Sequence, residues 1–282
     1  MAHARVNGIN LYYELKGASG EPLVLVHGSW GNSNNWDMVF GPLSESFRVL
    51  TYDRRGHSRS ERPAGQGSVH EDIADLAALV EHLGLAPAHI AGNSFGASIV
   101  LGCAAKNPGL FRSLIAHEPP LFSVIDGEPK FRDMLRETKA RIGSVIERLK
   151  QGDMAGGAEQ FVNTVAFGPG AWERLPAVTK ETFISNAVTF LDEANDPDAL
   201  SIDLKGLSKF TRPELISHGD SSPPFFSPIA AGIAKSIPGS TQKTITGAGH
   251  VPHLSHPTDY VAMVKGFVQS VRAKGKPGAR RR

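Results

Sequence analysis

A single cysteine, Cys103, stands in the 282 residues. An internal disulfide is therefore excluded, no thiolate cluster is available for zinc, and a reducing compartment is the expected setting. Long apolar runs are also missing. No window approaches the ~18 consecutive apolar residues of a membrane helix, and the opening MAHARVNGINLYY lacks the basic-then-apolar order of a signal peptide. These absences predict a cytoplasmic protein with no membrane partner. No Gly-rich phosphate cradle and no clustered His/Cys ligands are present, so neither a metal nor any other cofactor is expected. An excess of one charge is lacking as well: Lys and Arg total 30 against 28 Asp and Glu, and Lys274, Lys276, Arg280, Arg281 and Arg282 crowd the last ten positions. The basic balance thus belongs to a tail, 273–282, read as solvated and disordered. With no aromatic interleaving it predicts no nucleic-acid partner. Nothing in the sequence sets an oligomeric state.

What is present is a chain with 40% apolar residues, enough for one large α/β domain or a core with an insertion. Short β-type runs alternate with helical patterns through residue 118, which predicts parallel βαβ units. The runs are Ile9 to Tyr13, Leu23 to Val26, Arg48 to Tyr52, His89 to Ala91 and Leu114 to His117. Ser68 with Glu71 forms a capping box before Ile73, Leu76, Val80 and Leu83 at helical spacing, and Gly84 ends that helix. From Pro119 to about Leu207 the β-type runs stop and helical patterns take over. Alternation resumes with Glu214 to Ser217 and Thr241 to Ile245, then a last helix from about Thr258 to Val271. The reading is core (1–118), helical cap (119–207), core (208–272) and tail (273–282).

Gly92-Asn93-Ser94-Phe95-Gly96 is G-x-S-x-G placed after a strand and before a helix, the setting of a nucleophile elbow. A serine on so sharp a bend takes φ > 0, and side chains two residues away on either side would collide, which glycine avoids. The bend also opens a helix, so the Phe95 N–H, at the positive end of the dipole, points where a tetrahedral oxyanion forms. Upstream, Leu23 to Val26 runs into His27-Gly28-Ser29-Trp30-Gly31. A second loop follows, Tyr52-Asp53-Arg54-Arg55-Gly56-His57-Ser58. Late in the chain comes Gly247-Ala248-Gly249-His250-Val251-Pro252.

These segments resemble the α/β-hydrolase superfamily on both sides of the cap. The resemblance implies an eight-stranded, mostly parallel sheet with helices on both faces and an inserted helical cap. It implies Ser94 as nucleophile and His250 as its base, with His27, His253 and His256 structural. It places the oxyanion hole at the backbone N–H groups of Ser29 and Phe95, with Trp30 as the alternative to Ser29. The loop from Asp53 resembles the family's D-x-R-G-x-G-x-S, with His57 read as standing where glycine is common, and is expected to be structural. The usual family acid follows the seventh strand, but Ser222 stands at that position here and Asp220 comes two residues early. Glu118, in His117-Glu118-Pro119-Pro120 after the sixth strand, is the expected acid, as in haloalkane dehalogenases and zearalenone lactonases. Asp220 is the alternative.

Serine at 94 argues against dehalogenase and epoxide-hydrolase chemistry, both of which need a carboxylate nucleophile. The HG-x loop is not the HGGG type, which favours small to medium acyl substrates over large lipid esters. Phe161, Phe167, Trp172, Phe183, Phe190, Phe225 and Phe226 suggest an apolar or aromatic lining, with Trp30, Trp172 and Phe225 against the substrate. The expected function is hydrolysis of a small-molecule ester or lactone through an acyl-enzyme. Relatives that hydrolyse carbon–carbon bonds, haloperoxidase-like or cofactor-free oxygenase relatives, and non-catalytic small-molecule receptors share the fold and remain alternatives.

Overall fold

The β-type runs form eight strands: β1 (Ala2–Val6), β2 (Ile9–Lys16), β3 (Pro22–Val26), β4 (Arg48–Tyr52), β5 (Ala88–Asn93), β6 (Phe111–His117), β7 (Glu214–Gly219) and β8 (Thr241–Ile245). In the computed structural model, which describes residues 2–237 and 239–275, they make one sheet ordered β1-β2-β4-β3-β5-β6-β7-β8. The β1–β2 and β2–β4 pairs are antiparallel and the others parallel. The first strand is absent from the sequence reading although its turn is explicit. Asn7 (φ 47°) and Gly8 (φ 83°) both take positive φ, as a two-residue hairpin between right-twisted strands requires.

Among the described residues, eleven α-helices complete the fold. The core carries α1 (Asp37–Ser44), α2 (Val69–His82) and α3 (Phe95–Lys106) before the insertion. Between β6 and β7 come α4 (Arg132–Lys150), α5 (Met154–Phe161), α6 (Ala171–Arg174), α7 (Ala177–Asn195) and α8 (Leu204–Leu207). After β7 follow α9 (Phe226–Ser236), α10 (Pro252–Ser255) and α11 (Pro257–Gly275). The period-two side-chain alternation of the strands explains the layering. Val24 and Val26 pack with α2, α3 and α9 on one face, whereas Leu23 and Leu25 pack with α1 and α11 on the other. Both faces are covered, so the central strands are apolar throughout rather than alternating. The α2 start has the expected capping box between Ser68 and Glu71, and Gly84 follows the helix at φ 63°. Helix α11 runs into the span read as a tail, and residues 276–282 of that span lie outside the described residues. Among the described residues, no helix is long and apolar enough to cross a membrane.

The inserted helices have a core of their own, in which Val145, Leu149, Ala158, Val162, Phe183 and Phe190 close around Trp30 of the β3 loop. A π-helical turn, Val162–Ala166, interrupts this layer, and its Val165 and Ala166 border a cavity with Ser94. Such turns recur at functional sites because they widen a helix locally.

One core residue carries a pH-dependent cost. Glu214 on β7 is 1% exposed, neither carboxylate oxygen has a partner among the described residues, and burial raises its pKa from the ordinary 4.5 to about 8. The folded protein therefore holds this proton more tightly than the unfolded chain, so stability falls as pH climbs between those two values. Glu214→Gln removes the titration. Its melting temperature is expected to gain on the wild type as pH rises from about 4.5 to about 8; a difference constant with pH would contradict this assignment.

Candidate active site

The carboxyl ends of β3, β5, β6 and β8 deliver the candidate residues to one edge of the sheet, where ligands bind in open α/β folds. Ser94 is the single residue between β5 and α3, at φ 56°, ψ −127°. A non-glycine residue is held there only by surrounding structure. A Cβ at position 92 would run into the Gly96 carbonyl, and one at 96 into the carbonyls of Val26 and His27, so β3, β5 and α3 meet only because both are glycine. A Cβ at position 28 would lie 2.9 Å from the Ser94 Cβ, so Gly28 lets the β3 loop approach the bend. Ser29 and Phe95 border the same cavity as Ser94. The Phe95 amide belongs to the first turn of α3, where N–H groups have no intrahelical partner.

Glu118 directly follows β6 at φ 49°, fully buried. Its Oε2 lies 2.6 Å from His250 Nδ1, and its Oε1 accepts the Gly219 N–H at 2.7 Å. Burial alone would raise this carboxyl, but the hydrogen bond and charge of His250 outweigh it and hold Glu118 below the usual carboxylate range. The neighbouring His117 is also buried, and burial lowers it to about 4, so it is neutral beside the carboxylate. The His250 loop is fixed from two further directions. Asn93 Nδ2 donates to the His250 carbonyl at 2.9 Å, and the Phe226 ring stacks on the imidazole at 4.7 Å between centroids. Ser94 and His250 border one cavity, and among the described residues no hydrogen bond joins their side chains.

Asp220 is placed elsewhere. Its Oδ1 accepts the Gly247 N–H at 2.7 Å on the exposed side of the β8 loop, away from the imidazole. The Ser222 hydroxyl is buried at the position that holds the acid in the resembled pattern. His253 is buried against Trp36 and Tyr260, and His256 bonds Ser255. His27 accepts the Arg54 N–H at 2.9 Å, and burial brings it to about 3, so it stays neutral and ties two loops together.

The cavity, of about 240 Å³, is walled by Phe122, Ile142, Ile146, Phe161, Phe190 and Phe225. Of the three residues expected against a substrate, Phe225 is in this wall and the two tryptophans are not. Trp30 has φ 66°, and its ring lies among the inserted helices, where it stacks on Phe161 (4.8 Å) and packs at a tilt against Phe190 (4.9 Å). It supports the wall from behind. Trp172 sits on α6 with the Lys180 ammonium 5.7 Å from its ring centroid, outside both the cavity and the groove beyond it. The loop after β4 needs one further correction: Ser58, not His57, takes the left-handed conformation (φ 44°), and the Asn186 side chain anchors its N–H at 2.8 Å.

Two contributors have no motif in the sequence. Asn93 is legible only as the variable position of the pentapeptide. Glu193, near the end of α7, reaches down from the insertion: its Oε2 accepts the Ser29 hydroxyl at 2.5 Å and its Oε1 pairs with Arg54 at 3.0 Å. Burial raises Glu193 to about 6 against the opposing pull of Arg54 and Ser29. Only the tertiary contact between the insertion and the β3 loop reveals it.

The chain is similar to known proteins. The uncharacterized hydrolase YraK of Bacillus subtilis (strain 168) is 31% identical over 156 residues, 52% of this chain and 56% of that protein. In three curated relatives the alignment spans 28%, 56% and 43% of the relative's own length. Among solved structures, Est816, described as an N-acyl homoserine lactone degrading enzyme, superposes with a TM-score of 0.75 at 24% identity, covering 94% of this chain and 100% of that one. The enol-lactonase from Burkholderia xenovorans LB400 superposes with a TM-score of 0.77 at 19% identity, covering 95% and 100%. Residues 23–264 match the model of the alpha/beta hydrolase family, and the chain belongs to that family.

Proposed function

We propose that this protein is a serine hydrolase that cleaves a carboxylic ester or lactone through an acyl-enzyme. One observation carries the reading: a serine on a strained strand-to-helix bend shares a cavity with an imidazole whose Nδ1 is bonded, at 2.6 Å, to a fully buried carboxylate. A carboxylate in that place keeps the proton on Nδ1 and leaves Nε2 to accept the Ser94 proton. Ser94 Oγ then attacks the carbonyl carbon, and the Ser29 and Phe95 amides stabilise the oxyanion. His250 returns the proton to the leaving oxygen, the carbon–oxygen bond breaks, and water hydrolyses the acyl-enzyme by the same route. The resting hydroxyl is not bonded to the imidazole, as is common before substrate closes the site. The superposition on a lactonase and a lactone-degrading enzyme is consistent with this chemistry.

A fluorophosphonate probe tests the reading. Folded protein is expected to be labelled at Ser94, with labelling abolished by prior denaturation. Absence of label on folded protein would instead favour a receptor that retains the pocket without the chemistry.

A further inference from the structure

The cavity is asymmetric in charge. Among the described residues, Glu193 and Asp196 are the only ionisable residues that line it besides His250, and no Lys or Arg lines it. Arg54, the cation paired with Glu193, is 1% exposed, is not part of the wall and is already shared between Glu193 and Asp72, at 3.0 and 2.9 Å. One guanidinium against two carboxylates leaves that cluster with a net negative charge. Beyond His250 lies a second, more open groove of about 810 Å³ that carries Glu137, Arg141, Thr138, Asn163 and Thr164. Both charge signs and several hydrogen-bonding groups are present there. Phe225, Val165, Ala166 and His250 border both spaces, whereas Ser94, Ser29 and Phe95 border only the inner one.

Acyl transfer assigns the two spaces. The acyl group stays bonded to Ser94 and so remains in the inner cavity, while the leaving oxygen takes its proton from His250, the group that faces both. We propose that the substrate is an ester whose acyl half is uncharged and apolar, that its alcohol half leaves past His250 into the polar outer groove, and that Glu193 rejects a carboxylate on the acyl half. This rests on the reading of Ser94 and His250 as nucleophile and base. An acyl carboxylate would lose its water in an apolar chamber, with a like charge in the wall and no free cation to pair with it.

Matched esters test the assignment. p-Nitrophenyl pentanoate and the p-nitrophenyl monoester of glutaric acid have acyl chains of equal length, and the second ends in a carboxylate. The wild type is expected to prefer the neutral ester by at least ~100-fold in kcat/KM, the scale of an unpaired buried charge. Glu193→Gln is expected to narrow that ratio by about tenfold whatever its absolute rate. Should this variant fold poorly because Arg54 loses a partner, Asp196→Asn is expected to narrow the ratio in the same sense. A carboxylate moved to the alcohol half, in a matched pair of butanoate esters, is expected to change kcat/KM by less than about fivefold. Equal turnover of the two acyl-matched esters, or a ratio untouched by both variants, overturns the proposal while the hydrolase reading stands. No turnover of the neutral ester together with no fluorophosphonate label on Ser94 overturns both.

Discussion

Ser94→Ala is expected to lower kcat toward a p-nitrophenyl ester by on the order of 10⁵- to 10⁶-fold, leaving only what the oxyanion amides and the cavity contribute. The size of the loss follows from the geometry. Alanine keeps the bend, because the φ of 56° is imposed by the packing of β3, β5 and α3 around Gly92 and Gly96 and not by the hydroxyl. The variant should therefore fold, retain the cavity and bind substrate, so that kcat falls while KM changes little. A loss of less than about tenfold would mean that another group attacks the ester, since a nucleophile that forms the covalent bond has no partial substitute nearby.

Glu118→Ala is expected to cost about 10³- to 10⁴-fold in kcat, whereas Asp220→Ala is expected to cost less than about tenfold. The contrast is set by position. Glu118 meets His250 Nδ1 at 2.6 Å from a fully buried site, while Asp220 spends its Oδ1 on the Gly247 amide. Without Glu118 the imidazole loses the partner that selects its tautomer and stabilises its charged form, and the Gly219 N–H loses its acceptor. Glu118→Gln separates the two effects. An amide can still accept from Gly219 but carries no charge, so a variant that folds like the wild type and is nonetheless deeply impaired assigns the loss to the carboxylate's field. Equal losses in the Glu118 and Asp220 variants would contradict the placement of the acid after β6.

Much of this arrangement is legible in the sequence because it is local. The bend at Ser94 depends on residues two positions away, and the apolar runs of β3 to β6 declare strands buried on both faces. Glu118 is visible because it directly follows the strand beside β5, so its distance from the elbow is fixed by one interstrand spacing. The missed or misread residues depend on contacts far apart in sequence. Glu193 is one acidic residue on an amphipathic helix until the insertion folds over the β3 loop and sets it against Ser29. Trp30 stands beside Ser29 in sequence, but a single positive φ turns its ring toward Phe161 and Phe190, so adjacency in the chain does not become contact with the cavity. Ser58 illustrates the converse: a position where glycine is common tolerates serine because the Asn186 side chain, 128 residues away, holds its amide. β1 depends on no distant contact, since Asn7-Gly8 between two alternating runs is itself a hairpin signal.

The most direct test of the acyl-enzyme is to mix the protein with p-nitrophenyl butanoate, quench in acid within the first turnover and map the peptides by mass. The prediction is a butanoyl group on Ser94, released on longer incubation and absent from Ser94→Ala. A butanoyl group on any other side chain, or ester turnover that persists in the Ser94 variant, would contradict it.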